Sequence, residues 1–335
     1  MLTVFSKKNL EEFTCIRMGE KKIGQVVASL SPDKPMKEIL KKSPAKFVVF
    51  GIQEDIGVRL NGGKGGAHTS FMPAVKAFLN NQQNQFIQAD KILILGYLNC
   101  NDELLNFNIS DENKGHLLVK KIDEEVAKLV QLIVELRKIP IIIGGGHNNA
   151  YGNLKGLSRA KNKPVNAVNL DAHSDLRALE GRHSGNGFSY ALQEGYLDKY
   201  FIFGLHESYT PQYIFEQIYN NKNLAYTTFE ALEIYRTANF KDELQRAKNF
   251  ACKKTFGIEL DLDCVQYFPS SAMTPSGFTP QQARRFVYHF AKVTESAYLH
   301  ICEAAPSLLS EPSTNAQVGK FIAYLISDFV KAKGF

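Results

Sequence analysis

The segment 165–175, VNAVNLDAHSD, ends an apolar run with three potential metal ligands at alternate positions, Asp171, His173 and Asp175. Side chains two residues apart in an extended chain leave the same face, so both carboxylates and the imidazole would crowd into one small volume. Crowded carboxylates repel one another, whereas a bound divalent cation turns the crowding into coordination. By itself, the segment fits a metal site and a solvated strand end equally well.

Two other apolar runs end in residues of the same chemical type. Residues 139–146, IPIIIGGG, predict a strand and a tight turn that deliver His147. Residues 255–263, TFGIELDLD, alternate three acidic residues with apolar ones, which places the acids on one face of a strand. A solvated edge strand would also show that alternation. Three strand ends that each deliver oxygen or imidazole ligands favour a metal site.

The elements that would carry these residues follow a repeated strand-then-helix order. We predict strands at 46–52, 91–98, 139–144, 165–171, 199–205, 224–227, 255–263 and 297–303, and helices at 73–81, 118–137, 148–160, 187–196, 211–219, 240–251, 279–294 and 315–332. Near-continuous apolar strands that alternate with helices predict an α/β fold with a mostly parallel sheet covered on both faces. Ligands in such folds bind beyond the carboxyl ends of the strands, where every candidate above lies.

Length and charge narrow the class of protein. The chain has 335 residues, of which 44% are hydrophobic, and can bury a large core. We predict an N-terminal arm or small subdomain at 1–45, the least regular part, and a single catalytic domain at 46–335. The formal net charge of +6 comes without a dense Lys/Arg tract, so no nucleic-acid partner is expected.

Cysteine usage and hydropathy indicate a cytoplasmic protein. The five cysteines are odd in number and widely spaced, which is typical of free thiols in a reducing compartment. The sequence shows no charged-then-apolar leader and no apolar stretch of about 18 residues. We therefore expect neither export nor a membrane partner.

Four motifs in this order resemble those of the ureohydrolase superfamily, which contains arginase, agmatinase and formimidoylglutamase. The motifs are GGGH at 144–147, DAHSD at 171–175, the D-x-D of Asp261 and Asp263, and a strand ending in Glu303. The match extends from about Gly51 to the end of the chain. It implies a three-layer α/β/α sandwich with a mostly parallel eight-stranded sheet and two Mn²⁺ ions per chain.

Carried over by position, the resemblance implies two sets of metal ligands. One set is His147, Asp171, Asp175 and Asp261, and the other is His173, Asp171, Asp261 and Asp263, so that Asp171 and Asp261 would bridge. Carboxylates and imidazoles without a thiolate also suit Mn²⁺ by their own chemistry. The metal pair would activate a water molecule, Asp175 would orient that water and pass on a proton, and Glu303 would pair with the cationic nitrogens of the substrate.

Glu259 raises a question of register. The superfamily usually has a small residue, often Ser, two positions before the first Asp of D-x-D, so Glu259 and Asp261 could form the ligand pair instead. We prefer Asp261 and Asp263 because they lie at the extreme carboxyl end of the run. Glu259 then needs a partner that the sequence does not identify.

The residues after DAHSD bear on the substrate. Arginases carry S-x-N-x-H at the position where this chain has Ser184, Asn186 and Phe188, and formimidoylglutamases carry S-G-T-P-F. A histidine at the last position is replaced by Phe188, although His183 lies close by. We expect Ser184, Asn186 and Phe188 at the substrate. The segments 51–67 and 270–278 also resemble a formimidoylglutamase-like branch.

Cationic loop residues support the same assignment. N-formimidoyl-glutamate brings two carboxylates, and its pocket needs cations that agmatine would not use. We expect Arg59, Lys64, Arg177 and Arg182 to reach the rim of the site.

The predicted function is hydrolysis of a linear amidine, N-formimidoyl-L-glutamate plus water giving L-glutamate and formamide, a step in histidine degradation. The alternatives are a guanidino hydrolase of the agmatinase, guanidinobutyrase or arginase type that releases urea, and a non-catalytic, metal-binding regulatory protein on the same fold. A small-molecule amidine substrate and a homo-oligomer are the expected partners, the latter by analogy with relatives.

Overall fold

Apolar runs of the sequence form a nine-stranded sheet in the computed structural model, which describes residues 2–31, 35–309 and 311–334. The strands are β1 (Leu2–Val4), β2 (Phe47–Gln53), β3 (Ile92–Asn99), β4 (Ile139–Ile143), β5 (Val165–Leu170), β6 (Leu197–Leu205), β7 (Leu224–Thr228), β8 (Phe256–Asp261) and β9 (Ser296–Cys302). All eight predicted strands are present, as β2 to β9, with ends within two residues of those predicted.

The strand order is β1-β3-β2-β4-β9-β8-β5-β6-β7. Strands β2 to β9 run parallel to one another, while β1 pairs antiparallel with β3 and places Leu2 opposite Leu98. The predicted mostly parallel α/β fold is therefore confirmed, with one additional edge strand. A three-residue strand is too short to show a hydrophobic alternation. β1 joins the N-terminal segment to the main sheet; the division of the chain at residue 45 stays a prediction.

Helices connect the strands and cover the sheet. They are α1 (Lys7–Phe13), α2 (Met36–Lys42), α3 (Ile56–Leu60), α4 (Phe71–Leu79), α5 (Asn101–Asn106), α6 (Glu112–Glu135), α7 (Asn149–Lys161), α8 (Gly187–Gln193), α9 (Gln212–Tyr219), α10 (Phe240–Ala251), α11 (Pro280–Ala291) and α12 (Pro312–Lys333). The helices absent from the prediction, α1, α2, α3 and α5, are at most seven residues long and show no helical period. Within the described ranges, no helix is both long and apolar enough to cross a membrane.

The core consists of two apolar layers, one on each face of the sheet. In β2, Val48 packs into one layer and Val49 into the other, as alternation along a strand requires. Helices α4, α10, α11 and α12 bury their apolar faces in the layer of Val49. Helices α6, α7, α8 and α9 cover the layer of Val48. The result is the three-layer α/β/α sandwich that the resemblance implies.

Four neighbouring strands at the centre of the sheet, β4, β9, β8 and β5, are parallel. Their carboxyl ends therefore meet at one edge of the sheet, where ligands bind in such folds. The four motifs of the sequence lie at these four ends.

Candidate metal centre

His147 is held on a tight turn between β4 and α7. Residues 144 and 145 are glycines with φ of +85° and +75°, a conformation that other residues rarely adopt. The buried Glu54 accepts hydrogen bonds from the N–H of Gly146 at 3.0 Å and from the side-chain amide of Asn149 at 2.5 Å. The GGGH motif thus folds as a fixed turn that presents the imidazole to the sheet edge.

Asp171 and Asp175 flank His173 directly after β5. Asp171 Oδ1 accepts the backbone N–H of His173 at 2.7 Å, and its Oδ2 accepts the Asn169 amide at 2.9 Å. Asp175 has a φ of +50°, a left-handed backbone that costs about 1–3 kcal/mol for a residue with a side chain. Strain of this kind persists where the surrounding structure enforces it, which is common at functional sites.

Asp261, Asp263 and Glu303 come from the two strands between β4 and β5. Asp261 is the last residue of β8, and its Oδ1 accepts the backbone N–H of Asp263 at 2.9 Å. Glu303 follows β9 with a φ of +63° and accepts the backbone N–H of His147 at 2.7 Å. Four strand ends therefore supply the candidate side chains.

The His147 imidazole is surrounded by three carboxylates. Its Nδ1 lies 2.9 Å from Asp175 Oδ2, 3.1 Å from Asp171 Oδ2 and 3.2 Å from Asp261 Oδ2. Candidate ligand atoms of these four residues lie within 4.8 Å of one another. This group has the composition that the resemblance implies for the first ion.

A second group forms around His173. Its Nδ1 lies 3.2 Å from Asp263 Oδ2 and 3.6 Å from Asp171 Oδ1. Asp171 belongs to both groups, as a bridging ligand would. Asp261 belongs to the His147 group and not to the His173 group, so its predicted role as a second bridging ligand stays a prediction.

Three carboxylates of the centre, those of Asp175, Asp263 and Glu303, stand in a negative environment. Burial, together with the charge of Asp171, raises the pKa of Asp175 to about 6. Burial, together with the charge of Asp261, also raises the pKa of Asp263 and the pKa of Glu303 well above their usual values. Burial favours the neutral imidazole of His173, but the carboxylates of Asp263 and Asp171 outweigh it and raise its pKa. The cluster therefore attracts positive charge.

A hard divalent cation fits this donor set. Among the described residues that line the cavity there is no lysine or arginine, so the carboxylates have no permanently charged cation beside them there. His147 Nδ1 and Asp263 Oδ1 are buried without a hydrogen-bond partner in the described structure. Buried polar atoms are normally paired, and carboxylate and imidazole donors are ligands of Mn²⁺ and similar ions.

Glu259 lies one pleat below Asp261 and is fully buried. The Tyr298 hydroxyl donates to its Oε1 at 2.5 Å, and His300 Nδ1 lies 2.6 Å from its Oε2. These are the partners that the sequence did not identify. The structure thus places Asp261 and Asp263 at the cavity and Glu259 beneath it, while the choice of Asp261 and Asp263 as metal ligands stays a prediction.

A cavity of about 310 Å³ opens above the candidate ligands. Its walls are ligand residues, polar loop residues and small residues: His147, His173, Asp175, Asp261, Asp263 and Glu303, with Val58, Asn61, Gly62, Gly63, Ser184, Ser271 and Ala272. Ser184 was expected there, whereas Asn61 and Ser271 were not. Asn61 donates its amide to Ser184 Oγ at 3.1 Å. Asn61 lies in the segment 51–67 and Ser271 in the segment 270–278. The resemblance of these two segments to a formimidoylglutamase-like branch was the feature of the sequence that could have identified both residues.

Arg182 and Asn186 do not reach the cavity, contrary to expectation. The Arg182 side chain is 1% exposed and pairs with Asp123 of α6 at 2.9 Å. Its Nη1 donates to Asn186 Oδ1 at 2.7 Å. A guanidinium stays charged in the interior and needs such partners, so Arg182 anchors the loop before α8 and leaves the substrate to other residues.

Phe188 also lies behind the cavity, not in its wall. The ring is fully buried and stacks on Tyr200 with a centroid separation of 4.1 Å. The rings of Phe188 and His147 are nearly perpendicular, with their centroids 5.2 Å apart. The expected substrate contact is therefore replaced by a packing contact with a candidate metal ligand.

Arg59 and Lys64 are near the cavity but face elsewhere. Arg59 Nε lies 2.8 Å from the buried Asp55, and its guanidinium stands 5.9 Å over the ring of Phe107. Lys64 is exposed and is absent from the cavity wall; its backbone N–H donates to Ser271 Oγ at 2.9 Å. Neither side chain takes the expected position in the cavity wall.

Arg177 is the cation that approaches the rim. Its Nη1 donates to Asn61 Oδ1 at 2.7 Å, and Asn61 lines the cavity. Its Nη2 donates to Glu180 at 2.9 Å, and half of the side chain is exposed. Arg177 therefore lies next to a residue of the cavity wall, and a contact with a substrate carboxylate stays a prediction.

The His183 side chain does not line the cavity. It is 3% exposed, its Nδ1 accepts the N–H of Gly185 at 3.1 Å, and its Nε2 faces Glu180. Its role is to cap the turn that carries Ser184. His147 and His173 are the histidines of the cavity wall.

The chain is similar in sequence to known proteins. The model of the Arginase family matches residues 45–327. Formimidoylglutamase from Streptococcus pyogenes serotype M3 is 23% identical over 291 residues, which cover 84% of each chain.

Solved structures share the fold. Formiminoglutamase from Trypanosoma cruzi with Mn²⁺ gives a TM-score of 0.73 at 18% identity and covers 93% of this chain and 98% of its own. Formimidoylglutamase from Bacillus subtilis gives 0.72 at 16% identity, with 95% and 93% covered. Agmatine ureohydrolase from Thermoplasma volcanium gives 0.66 at 18% identity, with 91% and 95% covered.

Proposed function

Because this chain belongs to the arginase family, we propose that its central cavity is the active site of a dinuclear manganese hydrolase that cleaves a C–N bond in a linear amidine. The observation that carries the proposal is the placement of His147 Nδ1 among three carboxylate oxygens at 2.9–3.2 Å. An imidazole nitrogen and three carboxylate oxygens that lie this close together can all bind one shared cation.

Two Mn²⁺ ions per chain are the proposed cofactors. His147, Asp171, Asp175 and Asp261 would hold one ion, and His173, Asp171, Asp261 and Asp263 the other. The oxygen-rich donor set supports this choice, as does the Trypanosoma cruzi relative, which was solved with Mn²⁺. When bound, such a pair supplies Lewis acidity and lowers the pKa of a coordinated water molecule.

Asp175 and Glu303 are the proposed catalytic residues. Asp175 lines the cavity and would take a proton from the attacking water and deliver it to the leaving nitrogen. Glu303 uses Oε1 for the N–H of His147, which leaves Oε2 to pair with the cationic formimino group.

The proposed substrate is N-formimidoyl-L-glutamate, which connects the protein with histidine degradation. The water oxygen bonds to the formimino carbon, and the bond from that carbon to the glutamate nitrogen breaks. Its electron pair stays on nitrogen, which takes up a proton, so formamide and L-glutamate leave. The relatives named formimidoylglutamase support this choice, as does Arg177 at the rim, a partner for a substrate carboxylate.

Turnover of four candidate substrates tests the proposal. The protein is dialysed against EDTA, reloaded with Mn²⁺ and incubated with formimidoylglutamate, agmatine, guanidinobutyrate and arginine, and formamide and urea are measured. We expect formamide from formimidoylglutamate to exceed urea from any guanidino compound by more than an order of magnitude. The Asp263→Asn variant, purified in the same way, controls for contaminating hydrolases.

Each other outcome selects an alternative. Urea released at a comparable rate from a guanidino compound would identify a guanidino hydrolase. Two bound Mn²⁺ ions without turnover of any of the four would identify a non-catalytic metal-binding regulator.

We also propose a cytoplasmic location and a homo-oligomeric state. The five cysteines all lie in the described ranges and are free, four of them buried, which supports a reducing compartment. Size-exclusion chromatography with light scattering measures the oligomeric state.

A further inference from the structure

Glu259 is a carboxylate buried beneath the candidate metal ligands. In the described parts of the chain it has no lysine or arginine partner, and its side chain is fully enclosed. An ionised carboxylate in the interior is costly unless several donors compensate it. Its position in β8 therefore needs a physical reason, all the more because the superfamily pattern places a small residue there.

Two residues of β9 supply donors to Glu259. Tyr298 donates to Oε1 and His300 Nδ1 lies at Oε2, at 2.5 and 2.6 Å. His300 is the direct register neighbour of Glu259, and the Tyr298 ring occupies the space over Gly257, where it would collide with any β-carbon. The arrangement is thus built into the sheet and does not depend on a loop.

The third neighbour of Glu259 is His147. Its Nδ1 faces the carboxylates of the first metal group, so a ligating His147 carries its remaining proton on Nε2. That Nε2 is buried without a hydrogen-bond partner, and Glu259 Oε2 lies 3.6 Å away. Metal-binding histidines generally direct their second nitrogen at a carboxylate or carbonyl, which fixes the tautomer and the ring orientation.

Cys302 is another polar side chain close to the His147 ring. It forms a buried group with His147 and His300. Its thiol donates to the carbonyl of Leu260 at 3.5 Å, and a thiol is a weak acceptor. Glu259 is the neighbour that brings a formal negative charge to the Nε2 side of the ring.

We propose that Glu259 is a positioning residue of the metal centre, which holds His147 as the Nε2–H tautomer with Nδ1 directed at the carboxylates above it. His300 keeps Oε2 of Glu259 facing His147, and Tyr298 adds a hydrogen bond to Oε1 that stabilises the network. The inference rests on the proposed metal centre. Glu259 would raise the affinity of that centre for the ion that His147 binds.

Titration of the metal-free, full-length protein with Mn²⁺ by isothermal calorimetry tests the proposal. The wild-type protein is expected to bind two ions. In Glu259→Gln, which keeps the shape and removes the charge, we expect the affinity for one ion to fall by about 10- to 100-fold. The affinity for the other ion is expected to stay at the wild-type value.

Tyr298→Phe is the matched control. It removes a buried hydrogen bond from the same network but leaves Oε2 facing His147. We expect a lower melting temperature and wild-type affinity for both ions. If both variants lost affinity for both ions, the hydrogen bonds around Glu259 would have only a structural role, and the proposal would be overturned.

A double variant identifies the affected ion. His147→Asn is expected to remove tight binding of one ion, and adding Glu259→Gln in that background should leave the remaining affinity unchanged. A further loss in the double variant would overturn the assignment to His147. Glu259→Ser, the residue typical of the superfamily, replaces Glu259→Gln if the latter does not fold, with the same expected loss.

The outcomes separate the two proposals. Wild-type protein that binds no Mn²⁺ would overturn the metal centre itself. Two tight ions in the wild-type protein and unchanged affinities in Glu259→Gln would overturn the positioning role alone.

Discussion

The backbone N–H of His147 donates a 2.7 Å hydrogen bond to Oε1 of Glu303, which joins the turn after β4 to the end of β9. One oxygen of Glu303 is therefore committed to the turn that presents a proposed metal ligand. The other oxygen is the one proposed to bind the substrate, so the proposed metal site and the proposed substrate site would share this one side chain.

Glu303→Gln separates the two roles, because glutamine keeps an oxygen that can accept the hydrogen bond and loses the charge. We expect kcat/KM for formimidoylglutamate to fall by about 10- to 100-fold, from the loss of roughly 1.5–3 kcal/mol of charge-assisted bonding. Steady-state kinetics of the Mn²⁺-loaded variant measure this, with the manganese content determined on the same sample. The content should stay at the wild-type value, whereas Glu303→Ala should lower it. An unchanged kcat/KM in Glu303→Gln would remove Glu303 from the substrate site.

Asp261 and Asp263 should differ in their effect on metal content. Asp261 is expected to bridge both ions, and Asp263 faces His173 alone among the candidate imidazoles. We expect Asp261→Asn to lose both Mn²⁺ ions on dialysis and Asp263→Asn to keep one. Atomic absorption on dialysed protein measures the content. One ion retained in Asp261→Asn would confine that residue to the His147 group, where the distances place it.

The proposed ligands could be predicted from the sequence because each follows an apolar run that ends at the same edge of the sheet. His147, for example, comes after IPIII and three glycines, and the positive φ values of two of those glycines explain the motif. Strand ends and tight turns are local features, so a single sequence carries them.

Arg182 could not be placed from the sequence, because its partner is remote. Asp123 lies on α6, 59 residues earlier in the chain, and no local pattern links the two residues. Glu259 is a similar case: its contact with His300 follows from the register between β8 and β9. Pairings between distant segments depend on the packed fold.

Arg177→Ala should weaken binding of the substrate selectively. Arg177 is the cation bonded to Asn61 at the rim, and a substrate carboxylate paired with it would lose about 1.5–3 kcal/mol of bonding. We expect KM for formimidoylglutamate to rise by about 10- to 100-fold with kcat little changed. Lys64→Ala, a cation in the neighbouring loop that is absent from the cavity wall, should leave KM unchanged. A rise in KM for Lys64→Ala and not for Arg177→Ala would identify Lys64 as the partner of the substrate carboxylate.

His183 should make the turn that carries Ser184 sensitive to acid. Burial lowers the pKa of His183 to about 4, against 6.5 for an ordinary histidine. Between those values the unfolded chain binds a proton that the folded chain does not. The stabilisation is therefore fully present above about pH 6.5 and is lost as the pH falls toward 4. We expect the free energy of unfolding to decrease by about 1–3 kcal/mol across that window because of this residue.

His183→Asn isolates this contribution, because the asparagine oxygen can accept the N–H of Gly185 in place of Nδ1 but does not titrate. Carboxylates also titrate below pH 6.5, so the quantity to compare is the slope of unfolding free energy against pH in the two proteins. Urea denaturation at several pH values from 4 to 7, with Mn²⁺ removed from both, gives that slope. A shallower slope in His183→Asn is the expected result. Parallel slopes would mean that His183 binds its proton equally well in the folded and unfolded chains, and that the acid sensitivity of the fold arises from other groups.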